Sequence, residues 1–275
     1  MKNKFYFLFA FVFLFSCSSE PKKENKETPP ASAAPAEDLV PAIEYDLLAK
    51  LPHDIQSFTE GFFFHNGQLF ESTGSPDDLP DTRSVFGIMD MKTGKINKKA
   101  ELDKKYFGEG IVLLNDKIYQ LTYKHQIGFI YDAKTYKKTG DFSYKNAEGW
   151  GMTTDGTSII MSDGTDVLTY WDPKTLAVTK TLSVTNGGYP EDMLNELEYI
   201  DGYIYANVWT KNYVIKIDPA TGKTTGILDF SPLKDDARNA SYNAEVLNGI
   251  AYDAATKKMY VTGKLFPFVY EIRLK

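Results

Sequence analysis

The sequence predicts an all-β chain whose folded part, residues 41–275, is a five-bladed β-propeller of four-stranded antiparallel blades, the ring closed by an N-terminal strand. Two recurring turn signals carry this reading, with a composition rich in Tyr and Phe and punctuated throughout by Gly, Asn and Asp. Self-similarity at a period of roughly 40–50 residues is the mark of propeller repeats.

The first signal is a tight hairpin turn flanked by alternating apolar residues. It occurs at Asn66-Gly67, Asn115-Asp116, Asp155-Gly156, Asp201-Gly202 and, in looser form, from Asp253 to Thr256, at separations of 49, 40, 46 and 52 residues. Asn, Asp and Gly tolerate the left-handed backbone that such turns require, which is why these pairs join twisted strands. The second signal is an Asp-led turn: Asp90-Met-Lys92-Thr93, Asp132-Ala-Lys134-Thr135, Asp172-Pro-Lys174-Thr175 and Asp218-Pro-Ala220-Thr221, starting 42, 40 and 46 residues apart. Each unit reads strand, tight turn, strand, loop, strand, Asp-led turn, strand. Five hairpins with four outer turns leave the last blade, whose third strand is Val269–Leu274, short of an outermost strand. The alternating segment Ala42–Leu51 is expected to supply it and so remove the free edges of the ring.

Ahead of the ring, Lys2 and Lys4 precede an unbroken apolar run from Phe5 to Phe15, then Ser16 and Cys17. Eleven apolar residues are too few to cross a hydrocarbon core of about 30 Å as a helix, so residues 1–16 read as a signal peptide. Leu14-Phe15-Ser16-Cys17 resembles the bacterial lipobox, which implies acylation of Cys17 and an exported bacterial lipoprotein held at a membrane on the periplasmic face or cell surface. Residues 18–40, mostly Ser, Glu, Lys, Pro and Ala, read as a disordered tether.

Several function classes drop out on composition. Cys17 is the only cysteine, so no disulfide, thiolate metal site or cysteine nucleophile belongs to the folded part. Loss of Lys2 and Lys4 with the signal takes the formal charge from −6 to −8 with no basic cluster, which argues against nucleic acid. The three histidines, His53, His65 and His125, fall in loops or turns without ligand-pair spacing, against a histidine hydrolase or a zinc site. A metal site made of carboxylates alone stays open.

In an antiparallel hairpin both free ends lie at one edge, so the start of each innermost strand and the end of the next share one mouth of the ring. Counting from the turns puts there Glu60 with Thr73, Glu109 with Tyr123, Trp150 with Asp163, Asn195 with Trp209, and Asn248 with Lys264. Trp171, beside an outer turn, reads instead as packing between blades. Glu109, between Gly108 and Gly110 and among apolar strand residues, should have a raised pKa suited to proton transfer, or else hydrogen-bond to backbone amides. Lys264 could pair with Glu109 or polarise a ligand carbonyl; spacing does not choose.

At these residues the chain resembles the glutaminyl cyclases of plant and bacterial type, from about His53 to Leu274. The matching segments are Phe58-Thr59-Glu60-Gly61, Leu69-Phe70-Glu71-Ser72-Thr73-Gly74, Phe107-Gly108-Glu109-Gly110, Glu148-Gly149-Trp150-Gly151, Leu194-Asn195-Glu196-Leu197-Glu198-Tyr199, Ala206-Asn207-Val208-Trp209, Leu247-Asn248-Gly249-Ile250-Ala251 and Val261-Thr262-Gly263-Lys264. The resemblance implies a cofactor-free and metal-independent glutaminyl-peptide cyclotransferase, which turns the N-terminal glutamine of peptides or proteins into pyroglutamate and releases ammonia; a monomer is expected. It implies Glu109 as acid and base, with Lys264 and Asn195 holding the carboxamide. Phe58, Glu60, Tyr123, Trp150, Glu196, Trp209 and Asn248 would bind substrate. Three departures are visible: Glu60 stands where the family usually has Gln, Tyr123 and Phe266 where Trp is common, and Ser75 to Thr82 looks inserted. Glu60 and the insertion motivate an alternative, a non-catalytic peptide-binding propeller on the cell surface. A carboxylate-metal hydrolase is a third reading.

Overall fold

The computed structural model describes residues 39–275; the expected signal segment, Cys17 and most of the tether lie outside the described residues. The first strand, β1 (Tyr45–Pro52), is set aside for the last blade. Blade 1 is β2 (Phe58–His65), β3 (Gln68–Gly74), β4 (Val85–Met89) and β5 (Ile96–Glu101). Blade 2 is β6 (Gly108–Leu114), β7 (Lys117–Thr122), β8 (Ile127–Asp132) and β9 (Lys138–Ser143). Blade 3 is β10 (Met152–Thr154), β11 (Ile159–Met161), β12 (Val167–Trp171) and β13 (Val178–Ser183). After a small hairpin of β14 (Thr185–Asn186) and β15 (Tyr189–Pro190), blade 4 follows as β16 (Leu194–Ile200), β17 (Tyr203–Val208), β18 (Tyr213–Ile217) and β19 (Thr224–Asp229). A helix, α1 (Ser231–Ala240), leads to blade 5: β20 (Leu247–Asp253), β21 (Lys258–Gly263) and β22 (Phe268–Leu274), with β1 pairing on the outside.

All five hairpin turns and all four Asp-led turns fall between the strands expected of them. In the Asp-led turns the Asp90, Asp132 and Asp172 carboxylates accept from backbone N–H groups two and three residues on, and these bonds lower their pKa values. Closure runs as predicted, Tyr45 against Leu274 through to Pro52 against Phe268, antiparallel. The closing strand begins later than Ala42, which instead makes an isolated bridge to Ile227.

The core is divided rather than central. The described residues show five apolar clusters, one in each seam between neighbouring blades. Strand alternation builds them: in β2, Phe62 packs toward blade 5 while Phe63 packs toward blade 2. Trp171 lies in the seam between blades 2 and 3, edge-on to Phe142, as expected. The helix was not foreseen. It fills the longest interval between hairpins, starts with Ser231-Pro232, and buries Leu233 and Ala237, one turn apart.

Candidate active site

The inner strands share one irregularity that places the mouth residues. Regular pairing is interrupted between Thr59 and Gly61 in β2, Gly108 and Ile111 in β6, Leu194 and Leu197 in β16, and Leu247 and Ile250 in β20. The residues skipped include Glu60, Glu109, Asn195 and Asn248. A bulge re-aims a side chain out of the alternating pattern, so four blades turn one polar residue each toward the axis by the same device. In blade 3 the ordered strand starts only at Met152, and Trp150 occupies the corresponding place.

The residue after each is glycine in four blades: Gly61, Gly110, Gly151 and Gly249. A Cβ on Gly110 would lie 2.5 Å from the Trp150 carbonyl oxygen, and one on Gly151 2.1 Å from that of Asn195, so these glycines let adjacent inner strands meet. Blade 4 has Glu196 there. Its carboxylate accepts from the Phe62 amide (3.1 Å) and the Ile250 amide (2.7 Å), tying blade 4 to blades 1 and 5 across the axis.

At the mouth a cavity of about 230 Å³ is lined by Phe58, Glu60, Pro76, Phe107, Glu109, Tyr123, Trp150, Asn195, Trp209 and Lys264. One wall is Phe58, Phe107 and Tyr123 in successive ring contacts at 6.0 and 5.8 Å; the other is Trp150 edge-on to Trp209 at 5.7 Å. The Trp150 indole N–H donates to Glu148 Oε2 (2.8 Å), which fixes that ring.

Between the walls lies a buried charge cluster. Lys264 Nζ donates to Glu60 Oε1 at 2.7 Å and sits 4.6 Å over the Phe58 ring. Asn248 Nδ2 donates to Glu60 Oε2 at 3.1 Å and to the Thr59 carbonyl at 3.0 Å. Burial raises the Glu60 pKa, against the pull of Lys264. Glu109 is pushed well above the usual carboxylate range, by burial first and then by the Glu60 charge, with which it also shares a hydrogen bond. Asn195 is 4% exposed, and its Oδ1 has no hydrogen-bond partner among the described residues. A buried carboxamide oxygen without a partner is costly, and Asn195 lines the cavity, where a ligand donor can meet it.

A profile of glutamine cyclotransferase matches residues 14–274. The chain belongs to the glutamine cyclotransferase family. A glutaminyl-peptide cyclotransferase of Arabidopsis thaliana is 38% identical over 234 residues, 84% of this chain and 72% of that one. The crystal structure of Myxococcus xanthus glutaminyl cyclase superposes with a TM-score of 0.78 at 30% identity, covering 86% of this chain and 99% of that chain.

In this glutamine cyclotransferase the cavity unites Glu109, Lys264, Asn195, Phe58, Glu60, Tyr123, Trp150 and Trp209 of the expected set. Asn248 is fully buried behind Glu60, and Glu196 serves the axial amides; neither lines the cavity. Thr73 and Asp163, counted to the mouth, hold loops instead: Thr73 Oγ1 donates to the Arg83 carbonyl (2.6 Å), and Asp163 Oδ1 accepts from the Thr165 hydroxyl (2.6 Å). The ion pair open to Lys264 is made with Glu60, not Glu109. His53 lies in a loop as expected, yet its side chain is wholly buried, 3.1 Å from Glu71. Burial would lower its pKa, but the Glu71 charge and the bonds to Glu71 and Phe266 outweigh it and raise it. Two lining residues escaped the sequence reading. Phe107 repeats the Phe-x-Glu-Gly spacing of Phe58, and that repeat was the available signal. Pro76 enters from the inserted segment, for which the turn count gives no position.

Proposed function

We propose that this chain closes N-terminal glutamine to pyroglutamate in the mouth cavity, with Glu109 as the proton shuttle. The observation that carries the reading is Glu109 itself: a protonatable carboxyl inside an aromatic-walled cavity, beside an ammonium and an unpartnered carboxamide. The cavity is smaller than the roughly 300–1,000 Å³ of sites for drug-sized ligands, so it takes one residue and leaves the rest of the peptide outside.

The glutamine side chain lies between the aromatic walls with its carboxamide against Asn195 and Lys264. The α-amine nitrogen attacks the carboxamide carbon, a C–N bond forms, and the bond to the amide nitrogen breaks. One proton leaves the attacking amine and one reaches the departing nitrogen, which goes as ammonia; Glu109 accepts the first and supplies the second. Positive charge for the developing oxyanion comes from Lys264 rather than a metal ion, and holding nucleophile and electrophile folded together supplies much of the remaining rate. As part of the same proposal, Cys17 anchors the ring to a membrane after removal of residues 1–16. The ring acts as a monomer, its edges closed by β1.

Incubating the chain with a glutamine-led peptide should release ammonia, lower the peptide mass by one ammonia, and proceed unchanged after chelator treatment. Binding without product would instead make it the peptide-binding propeller. Loss of turnover to chelator would overturn the metal-free step.

A further inference from the structure

Glu60 is the least expected group in the cavity, because a second carboxylate beside Glu109 does no obvious work in ring closure. Its surroundings are specific. Glu60 is 1% exposed, and both its oxygens are engaged, one by Lys264 at 2.7 Å and one by Asn248 at 3.1 Å. Among the described residues Lys264 is the one ammonium lining the cavity, and its hydrogen bond goes to Glu60.

Resting on the reading of Glu109 above, we propose that Glu60 is a positioning residue that keeps Glu109 in its acid form at neutral pH. It does so by engaging Lys264 and presenting its own negative charge to Glu109. The cluster then holds one carboxylate, one carboxylic acid and one ammonium, which is electrically neutral. That neutrality is what allows three ionisable groups to share a buried site, since an unbalanced charge there would be expensive. A carboxylic acid at Glu109 can give its proton to the departing nitrogen through one oxygen while the other oxygen takes the proton of the attacking amine. Glu109 ends the turnover as it began, so no separate reprotonation step is needed.

The groups facing this pair are few. Glu60 meets Lys264, Asn248 and Glu109 and feels Glu245; Glu109 feels Glu60, Lys264 and Glu148, and Tyr144 lies within reach of its charge. Glu245 and Glu148 are negative and act in the same direction as Glu60. Among the charges named here Lys264 is the one that opposes them, and its ammonium is hydrogen-bonded to Glu60.

The experiment is the pH dependence of kcat and KM for a glutamine-led peptide, in the wild-type chain and in Glu60→Gln and Glu60→Asp. In kcat/KM the free substrate amine, with a pKa of about 7.7–8.0, sets the acid limb, which no variant of the enzyme moves. The alkaline limb reports loss of the Glu109 proton. Glu60→Gln frees Lys264 to pair with Glu109, so that limb should move down by about one pH unit or more, with kcat on the alkaline side falling about tenfold or more. Glu60→Asp keeps the charge and should keep the limb near its wild-type position. An unmoved limb in Glu60→Gln, or a change confined to KM, would overturn the proposal and make Glu60 a substrate contact.

Carboxyl-carbon NMR of the wild-type chain labelled at glutamate tests the same point without relying on Glu60→Gln to fold. It should show a protonated carboxyl at neutral pH that disappears in Glu109→Gln; an ionised Glu109 there would also overturn the proposal. If the wild-type chain forms no pyroglutamate, the functional reading fails while the NMR result still stands on its own.

Discussion

Glu196 and Glu109 both start from the bulged opening of an inner strand, both are buried, and burial pushes both carboxyls well above the usual range. They differ in what meets their oxygens. Glu196 faces backbone amides of two other blades, Phe62 and Ile250, which can neither move nor change charge. Glu109 faces side chains and a cavity: Glu60, Lys264 and a space walled by aromatic rings. Perturbed carboxyls therefore mark two different things in this ring. The perturbation alone does not identify a catalytic group; the partner type and an opening to substrate do.

The sharpest way to break that comparison is to remove the proton from each. Glu109→Gln keeps the shape and removes the acid, and should lower kcat by about a hundred- to ten-thousandfold with little change in KM, as expected of a general acid–base group. Ammonia release under saturating peptide reads it. If Glu109→Gln turns over normally, Glu109 belongs with Glu196 as a structural carboxyl, and the distinction fails.

How much of this contrast is legible in the sequence depends on how local each signal is. Asn66-Gly67 and Asp201-Gly202 announce hairpins because the backbone they require is decided within two residues. Counting from those turns brings Glu60, Glu109, Asn195 and Lys264 to one mouth, because strand length and antiparallel pairing are regular. The same counting cannot see the bulges. It puts Asn195 at the mouth, and only the resemblance adds Glu196 as a substrate contact; the first lines the cavity, while the second ties blades across the axis. Nor can it choose which of two carboxylates meets Lys264, since Glu60 and Glu109 lie on adjacent blades at equivalent heights. The helix at Ser231–Ala240 is hidden for another reason: it answers to no repeat, and only the 52-residue gap between hairpins hints that something other than strand lies there.

The structural side of the comparison is tested by Glu196→Leu, similar in size but unable to accept. Two buried amides then lose their acceptor, at about 1–2 kcal/mol each, so the domain should lose about 2–4 kcal/mol and roughly 5–15 °C in Tm. Activity per folded molecule should stay near wild type, since Glu196 does not line the cavity. Calorimetry and the ammonia assay on the same preparation separate the two effects. A variant that keeps its Tm and loses turnover would place Glu196 with Glu109 after all.

The smallest effect is the most discriminating, because it asks whether a structural carboxyl in this ring still reports on pH. Glu198 lies two residues beyond Glu196 on the same strand and accepts from the Tyr252 amide at 2.9 Å. Burial raises its pKa from the ordinary 4.5 to about 8, against those hydrogen bonds. A carboxyl with a raised folded pKa holds its proton more tightly folded than unfolded, so between about pH 4.5 and 8 the unfolded chain binds fewer protons and stability falls as pH rises. Its contribution is present below the lower value and lost through the upper one. Because Glu198 is only half-buried, the change is reduced to about 1–2 kcal/mol, or about 2–8 °C in Tm. Glu198→Gln cannot titrate, so its Tm should decline less steeply with pH than that of the wild type. Its pH profile of turnover should match wild type, whereas Glu60→Gln should shift that profile. Equal slopes of Tm in wild type and Glu198→Gln would show that Glu198 keeps its charge in the folded ring, its backbone bonds outweighing burial.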